Sequence, residues 1–495
     1  MRLPCLAALT LVACATAPGP SVAPPPSPVA LTARATPLGR FVDSLVDVPE
    51  FRSANWGIII VDPGRGETLY TRNADKLFNP ASNEKLLTGT TALVQLGADY
   101  RWNTTVLARG TITDSILSGD LIFRGNGDPE FSAHMQHGDA LAPMRAFADS
   151  LRAHGVARIQ GRLIAAPSPF TDSNLGYGWE WDDLDGPDGA GVDALYFNEG
   201  FTEVVVRGGM HEGDPVTALT RPASTYPSLI VRARTGAADP SRPRARSISL
   251  AQDSSRAGVL VTGTVAAGDS VVGEITFRDH AAAFLAAMKE ALTSRGVLVY
   301  GTRGDTTLRA DSLFAVRSPA LRDILPFFEK PSQNQIGEIL FKTLGLEKGG
   351  AGRADSAARV VSRQLLAWGA QPDGFVVHDG SGLSRHDFVT PRTIVTVLDA
   401  IRRHPDFRLF YDAMPIAGVD GTIRSRMKGS PAEGNLHAKT GTLDRVRSLS
   451  GYVTTADGRV LLFSALCNNY TVPTRRVDQV TDALGVRLAS MRLAP

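Results

Sequence analysis

The chain has 495 residues, roughly three domains at ~150 residues each. With 43% hydrophobic and 21% charged residues it has the make-up of a folded protein, which excludes wholesale disorder. Its 52 Lys and Arg against 50 Asp and Glu leave a charge of +2, without the basic excess of a nucleic-acid machine. Only eight of the basic residues are lysine, so each lysine can be questioned one at a time. Cys5, Cys14 and Cys467 are too few for a disulfide framework, and after residue 14 no run reaches the ~18 to 20 apolar residues of a membrane span.

Residues 1–13 read as a secretory leader: one arginine, a short apolar run, then small residues. Leu11-Val12-Ala13-Cys14 resembles a bacterial lipobox, in which Cys14 is lipidated and becomes the new N-terminus. The alternative is an ordinary signal peptide cut after Ala15 or Ala17. Residues 15–37 hold Pro18, Pro20, Pro24, Pro25, Pro26 and Pro28 and read as an extended tether. From Gly39 the chain looks folded. Ile58 to Val61, Pro63-Gly64 and Leu69-Tyr70 predict a strand, a turn and a strand. Leu86, Thr90, Leu93, Val94 and Gly97 predict a helix over residues 82–97. Short apolar runs divided by glycines then point to β-rich structure between residues 104 and 165 and again up to Val271-Val272. Helical patterning returns at residue 281. The expected organisation is an α/β domain from 38–105 and 281–495, interrupted by a β-rich unit from 106–165 and 251–280 and a second inserted unit from 166–250.

A serine three residues before a lysine occurs twice, at Ser82-Asn83-Glu84-Lys85 and Ser425-Arg426-Met427-Lys428. Ser82 opens the expected amphipathic helix, where Lys85 lies one turn along the same face. Taken alone, Ser82 reads better as a helix N-cap than as a nucleophile. Two further elements separate the pairs. Ser332-Gln333-Asn334 opens a helical run through Ile336, Ile339, Leu340 and Leu344, and Lys439-Thr440-Gly441-Thr442 begins a strand pair. In the order SxxK, SxN, KTG these are the signature of acyl-transfer serine enzymes acting on penicillins and D-Ala-D-Ala peptides. Lys428 stands only 11 residues before Lys439, with no SxN between. His134-Met135-Gln136-His137 lacks the glutamate of a zinc helix, and His378, Asp379 and Ser381 are triad residue types placed side by side, where Gly380-Ser381-Gly382 reads as a turn.

With 250 residues between Ser82 and Ser332, the chain resembles the low-molecular-mass class C penicillin-binding proteins. These are the penicillin-binding protein 4 type of D-alanyl-D-alanine carboxypeptidase/endopeptidase. The segments Gly125-Asn126-Gly127-Asp128-Pro129, Gly178 to Leu184 and Asp379 to Arg385 are family-like as well, and Gln333 departs from a frequent aspartate. The resemblance implies an α/β (α+β) penicillin-recognising serine transpeptidase/β-lactamase-like domain with a β-rich two-domain insertion. It implies Ser82 as nucleophile, a neutral Lys85 as base, Ser332 as relay, and Asn334 as the group positioning Lys85 and the substrate. Burial and the nearby Lys439 are expected to lower the Lys85 pKa. Lys439, Thr440 and Thr442 would meet the terminal carboxylate, Gly441 would line the substrate site with them, and backbone N–H groups of Ser82 and Thr442 would form the oxyanion hole. Asp183 and Arg385 would recognise the distal amine and carboxylate of a diaminopimelate side chain, with Glu180 and Asp182 as alternative acids. The implied partners are peptidoglycan stem peptides and, as covalent inhibitors, β-lactams. No metal, cofactor or nucleic acid is called for, and the membrane only through a lipid on Cys14. The rival functions are a serine β-lactamase-like hydrolase and a catalytically idle, wall-binding envelope protein.

Overall fold

The computed structural model describes residues 36–237, 247–253, 258–302 and 307–493. Cys14, the leader and nearly all of the tether therefore lie outside the described residues.

Strand Asn55–Asp62 and strand Glu67–Arg72 form the expected hairpin at one edge of a five-stranded antiparallel sheet. The order runs His437–Leu443, Val446–Thr454, Val460–Asn468, Asn55–Asp62, Glu67–Arg72. Alternation along the strands splits their apolar residues between two cores. Ile58, Ile60, Phe463 and Ala465 face helices Pro37–Val46 and Thr474–Ser490, through Leu38, Val42, Val477 and Leu484. Ile59, Leu462 and Leu466 face a helical layer that includes Glu84–Leu96, Leu321–Glu329, Asn334–Gly349 and Pro391–Arg402. Cys467 sits buried in the first of these cores.

The insertion is organised differently from the expected boundaries. A six-stranded sheet is built on the hairpin of Asn103–Thr113 and Ile116–Arg124, covered by helices Ala142–Ala153 and His280–Ser294. Strand Asp311–Arg317 closes its edge by pairing with Asn103–Thr113, so this unit takes in chain beyond residue 281. Strands Gly258–Ala266 and Ser270–Thr276 leave it. The first pairs with Ser228–Val231, Arg234–Gly236 and Ser247–Gln252, and the second with Phe201–Arg207. Val204, Val206, Val259, Val261, Val265 and Ile275 make a small core between these two sheets. Residues 251–280 thus belong mainly with the second unit. Apolar runs of similar length carry no label for their partner strand, so the pairing could not be read from composition.

Candidate active site

The site lies where the free edge of strand His437–Leu443 meets the start of helix Glu84–Leu96. Ser82 sits in a single 3-10 turn, Ala81–Asn83, just ahead of that helix. The N-cap residue is Asn83, so the N-cap reading of Ser82 does not describe this turn. Ala81, at φ +48, is left-handed without being glycine, a strained backbone that turns Ser82 towards the strand. Asn79 holds the approach: its Oδ1 accepts from the Ala81 N–H, and its Nδ2 donates to the Ser384 and Asp387 carbonyls. Asn83 ties the turn to the strand by donating to the Lys439 carbonyl at 3.0 Å.

Lys85 is fully buried, and its Nζ lies 2.9 Å from Ser82 Oγ, 2.6 Å from Asn334 Oδ1 and 2.7 Å from the Ser381 carbonyl. A neutral amine has two hydrogens, and both have an acceptor here. Its lone pair is left for the Ser82 hydroxyl. Burial is the main influence on this lysine and brings its pKa down to about 8, against the opposing pull of Asp379, Glu329, Glu338 and Asp188. The expected help from Lys439 shows on the other partner: Lys439 is lowered to about 7, by burial first and then by Lys85.

Lys439 Nζ donates to Ser332 Oγ at 2.6 Å, which joins the second motif to the third. Ser332 is also left-handed, at φ +66. Gln333 caps the helix Asn334–Gly349, its Oε1 accepting from the Ile336 N–H at 2.6 Å. Asn334 donates to the Asp188 carbonyl at 2.9 Å, so residues of the insertion reach the amide that also bonds Lys85. Thr440 donates to Thr422 Oγ1 at 2.7 Å, and Thr442 accepts from Arg447. Gly441 is required by contact: a Cβ there would fall 2.6 Å from the Pro80 carbonyl and 2.9 Å from Ser82 N.

A cavity of about 440 Å³ opens beside Ser82 and is lined by Ser332, Asn334, Thr440, Gly441, Thr442, Asp183 and Arg385. Lys85 and Lys439 lie behind that lining, and Ser425 and Lys428 are exposed on a turn. Glu180, Asp182, Asp188 and Asp444 share the wall, so carboxylates outnumber the single guanidinium. Arg385 pairs with Glu180, at 2.7 and 3.0 Å, and donates to the Asp444 carbonyl. Asp183 is held above the usual carboxylate range by burial and by Asp182 and Glu180.

Several contributors had no role assigned from the sequence. Ser381 is the clearest, because it acts through its carbonyl. Its loop is built around Asp379, which accepts from the N–H groups of Ser381, Gly382 and Ser384 and from Trp179 Nε1. Asp379 thus builds the turn read at Gly380-Ser381-Gly382 and does not serve as a triad carboxylate. Glu338 Oε1 accepts from Gly380 and Ser381 on the other side. Among the described residues no cluster of three His, Cys, Asp or Glu could hold a metal ion.

Residues 39–491 match the D-Ala-D-Ala carboxypeptidase 3 (S13) family. The chain belongs to that family. A D-alanyl-D-alanine carboxypeptidase of Actinomadura sp. (strain R39) is 35% identical over 474 residues, covering 92% of this chain and 85% of that one. D-alanyl-D-alanine carboxypeptidase DacB of Haemophilus influenzae is 27% identical over 429 residues, covering 84% and 86%. The crystal structure of penicillin binding protein 4 (dacB) from Haemophilus influenzae matches with a TM-score of 0.76 at 24% identity, over 91% of this chain and 99% of that one. That likeness speaks for the S13 fold, and the expected penicillin-recognising α/β architecture with its insertion is the one found.

Proposed function

We propose that this S13 chain trims peptidoglycan stem peptides and cross-links as a D-Ala-D-Ala carboxypeptidase/endopeptidase, through an acyl-enzyme on Ser82. The observation that carries the reading is the environment of Lys85. Two acceptors take both hydrogens of its neutral form and leave the lone pair on Ser82 Oγ. Lys85 then takes the serine proton as Ser82 attacks the carbonyl of the penultimate D-Ala. Backbone N–H groups of Ser82 and Thr442 stabilise the developing oxyanion, each worth ~3 kcal/mol. Ser332, held by Lys439, relays a proton to the leaving amine, and water hydrolyses the ester. Lys439 and Thr440 receive the terminal carboxylate.

The acid-rich wall suits a substrate side chain ending in an ammonium group beside a carboxylate. Asp183 and its neighbours would take the ammonium, and Arg385 the carboxylate after exchanging it for Glu180. Such substrates lie in the cell envelope, in keeping with a secretory leader and, in this proposal, a lipid on Cys14. No helix among the described residues is long and apolar enough to cross a membrane. Globomycin treatment or Cys14→Ser would then change membrane fractionation; an unchanged distribution overturns the anchor.

Mass spectrometry of the protein with a penicillin over time tests the chemistry. A stable adduct on Ser82, with release of D-Ala from a D-Ala-D-Ala peptide, supports the reading. Rapid turnover of the penicillin favours a β-lactamase, and no adduct favours an idle binding protein.

A further inference from the structure

Glu329 ends the helix Leu321–Glu329, three residues before Ser332, and its side chain is fully buried. Neither of its carboxylate oxygens has a hydrogen-bond partner among the described residues. A carboxyl without a donor is costly to bury, and something must offset that cost. No motif accounts for it. Its Oε1 rests against helix Glu84–Leu96, where a Cβ on Gly89 would come within 2.7 Å of it. Gly89 follows Lys85 by one turn on the same helix face. From the strand side comes Lys439, whose Nζ is bonded to Ser332. Burial raises the Glu329 carboxyl to about 7, and Lys439 and then Lys85 oppose that rise by favouring its ionised form. Lys439 is influenced by Lys85 and Glu329, whereas Lys85 also faces Asp379, Glu338 and Asp188.

Two buried ammonium groups repel one another, and one buried carboxylate that acts on both supports one positive charge. We propose that Glu329 is a positioning residue, the shared counter-ion that keeps one proton on the Lys85–Lys439 pair. The inference rests on the acyl-transfer reading above. When a substrate carboxylate arrives beside Lys439 it draws that proton to Lys439, and Lys85 is left neutral next to Ser82. Binding and activation of the base are then one event. In the free protein burial holds Lys85 at about 8 and Lys439 at about 7, so the proton favours Lys85 until the substrate reverses the order.

The test is the pH profile of kcat/KM for a D-Ala-D-Ala peptide with Glu329→Gln, which removes the charge and keeps the shape. Loss of the carboxylate lowers both lysine pKa values. Both limbs of the profile should move down by about one pH unit or more. At pH 8 the KM for a peptide with a free carboxylate should rise ~10-fold, as Lys439 loses its charge. Acylation by the matching C-terminal methylamide should keep its rate at that pH, and Glu329→Asp should restore the limbs. Gly89→Ala provides a second variant, because its methyl group displaces the carboxylate without removing it, and it should shift the limbs in the same direction. Should Glu329→Gln not fold, the Gly89→Ala profile decides. Unmoved limbs, with only the amplitude reduced, would overturn the proposal. A wild type that forms no Ser82 adduct with penicillin would instead remove the acyl-transfer reading itself.

Discussion

A serine hydroxyl is a weak nucleophile near neutral pH, so the decisive residue beside Ser82 is the one that takes its proton. In the proposed acyl transfer Lys85 is neutral for that step, and Lys439 is charged to hold a substrate carboxylate. With Lys85 near 8 and Lys439 near 7, the competent arrangement is most populated between these values. Acylation by a penicillin should therefore follow a bell-shaped pH profile centred between about 7 and about 8. Stopped-flow measurement of the second-order rate constant checks it, and a rate independent of pH from 6 to 9 would contradict it. Lys85→Arg keeps the charge permanently, and acylation should fall at least ~100-fold. Arg385 makes a second prediction at this scale. On the proposed subsite, its loss removes a charge-assisted contact with the substrate carboxylate worth about 1.5–3 kcal/mol. In Arg385→Ala, KM for a diaminopimelate-containing peptide should rise about tenfold or more, with little change for the lysine-containing peptide. Equal losses on both would assign Arg385 to holding Glu180 and the Asp444 carbonyl in place.

At the scale of elements, the site depends on how closely an edge strand approaches a helix start. Gly441 faces both Ser448 Oγ and the Pro80–Ser82 turn, and the added methyl group of Gly441→Ala would lie 2.1 Å from the former. The strand must then shift away from Ser82. The variant should stay folded but lose ~100-fold or more in acylation rate, the scale of a lost oxyanion donor. A wild-type rate would show that the strand does not need this approach. The Ser381 loop makes a separate prediction about stability. Burial raises the Glu338 carboxyl from an ordinary 4.5 to about 8. The folded state therefore binds a proton that the unfolded state has lost between these values. The stabilisation is complete below about 4.5 and is lost as pH rises through about 8. Glu338→Gln removes this dependence, so wild-type Tm should decline relative to the variant between pH 5 and pH 8. A difference that is constant across this range would argue against the buried, protonated carboxyl.

The elements differ in how much of this was legible in the sequence. The hairpin at Ile58, the helix after Ser82 and the strand at Lys439 were readable because periodicity and turn residues are local signals. Ser82, Lys85, Ser332, Asn334 and Lys439 were named together from the order of their three motifs, and the fold brings them into hydrogen-bonded contact. Ser381 was not, since any residue can offer a carbonyl and only the fold decides where it points. Glu329 and Glu338 look like ordinary surface glutamates until the packing of three helices buries them.

At the scale of the whole molecule, the insertion is part of how the site is built. Its segment before residue 193 runs along the helix that carries Asn334. Asn334 and Gln335 donate to carbonyls of Pro187, Asp188 and Ala190, and Trp179 reaches Asp379. Lys342, two turns further along the same helix, holds the other end. Its Nζ donates to Asp172 Oδ1 and to the Ser173 carbonyl, each at 2.6 Å, while Asp172 Oδ2 accepts from the Ala354 N–H. The Lys342 side chain is only 4% exposed, so its partner depends on it far more than in a surface pair. Lys342→Met keeps the apolar stem and leaves Asp172 without its counter-charge, at a cost of about 3 kcal/mol or more. Because the lost contacts join the insertion to the helix, the first consequence should be local. Limited proteolysis should cut between residues 167 and 193 before it cuts the five-stranded sheet. With the strap loosened, the Asp188 carbonyl no longer orients Asn334, whose Oδ1 aligns Lys85. Penicillin acylation should then slow even though residue 342 touches no substrate. A variant with lowered Tm but wild-type acylation and an unchanged cleavage pattern would show that the strap is mere packing. Slowed acylation together with early cleavage in that segment would show that the insertion holds the Asn334 amide in register.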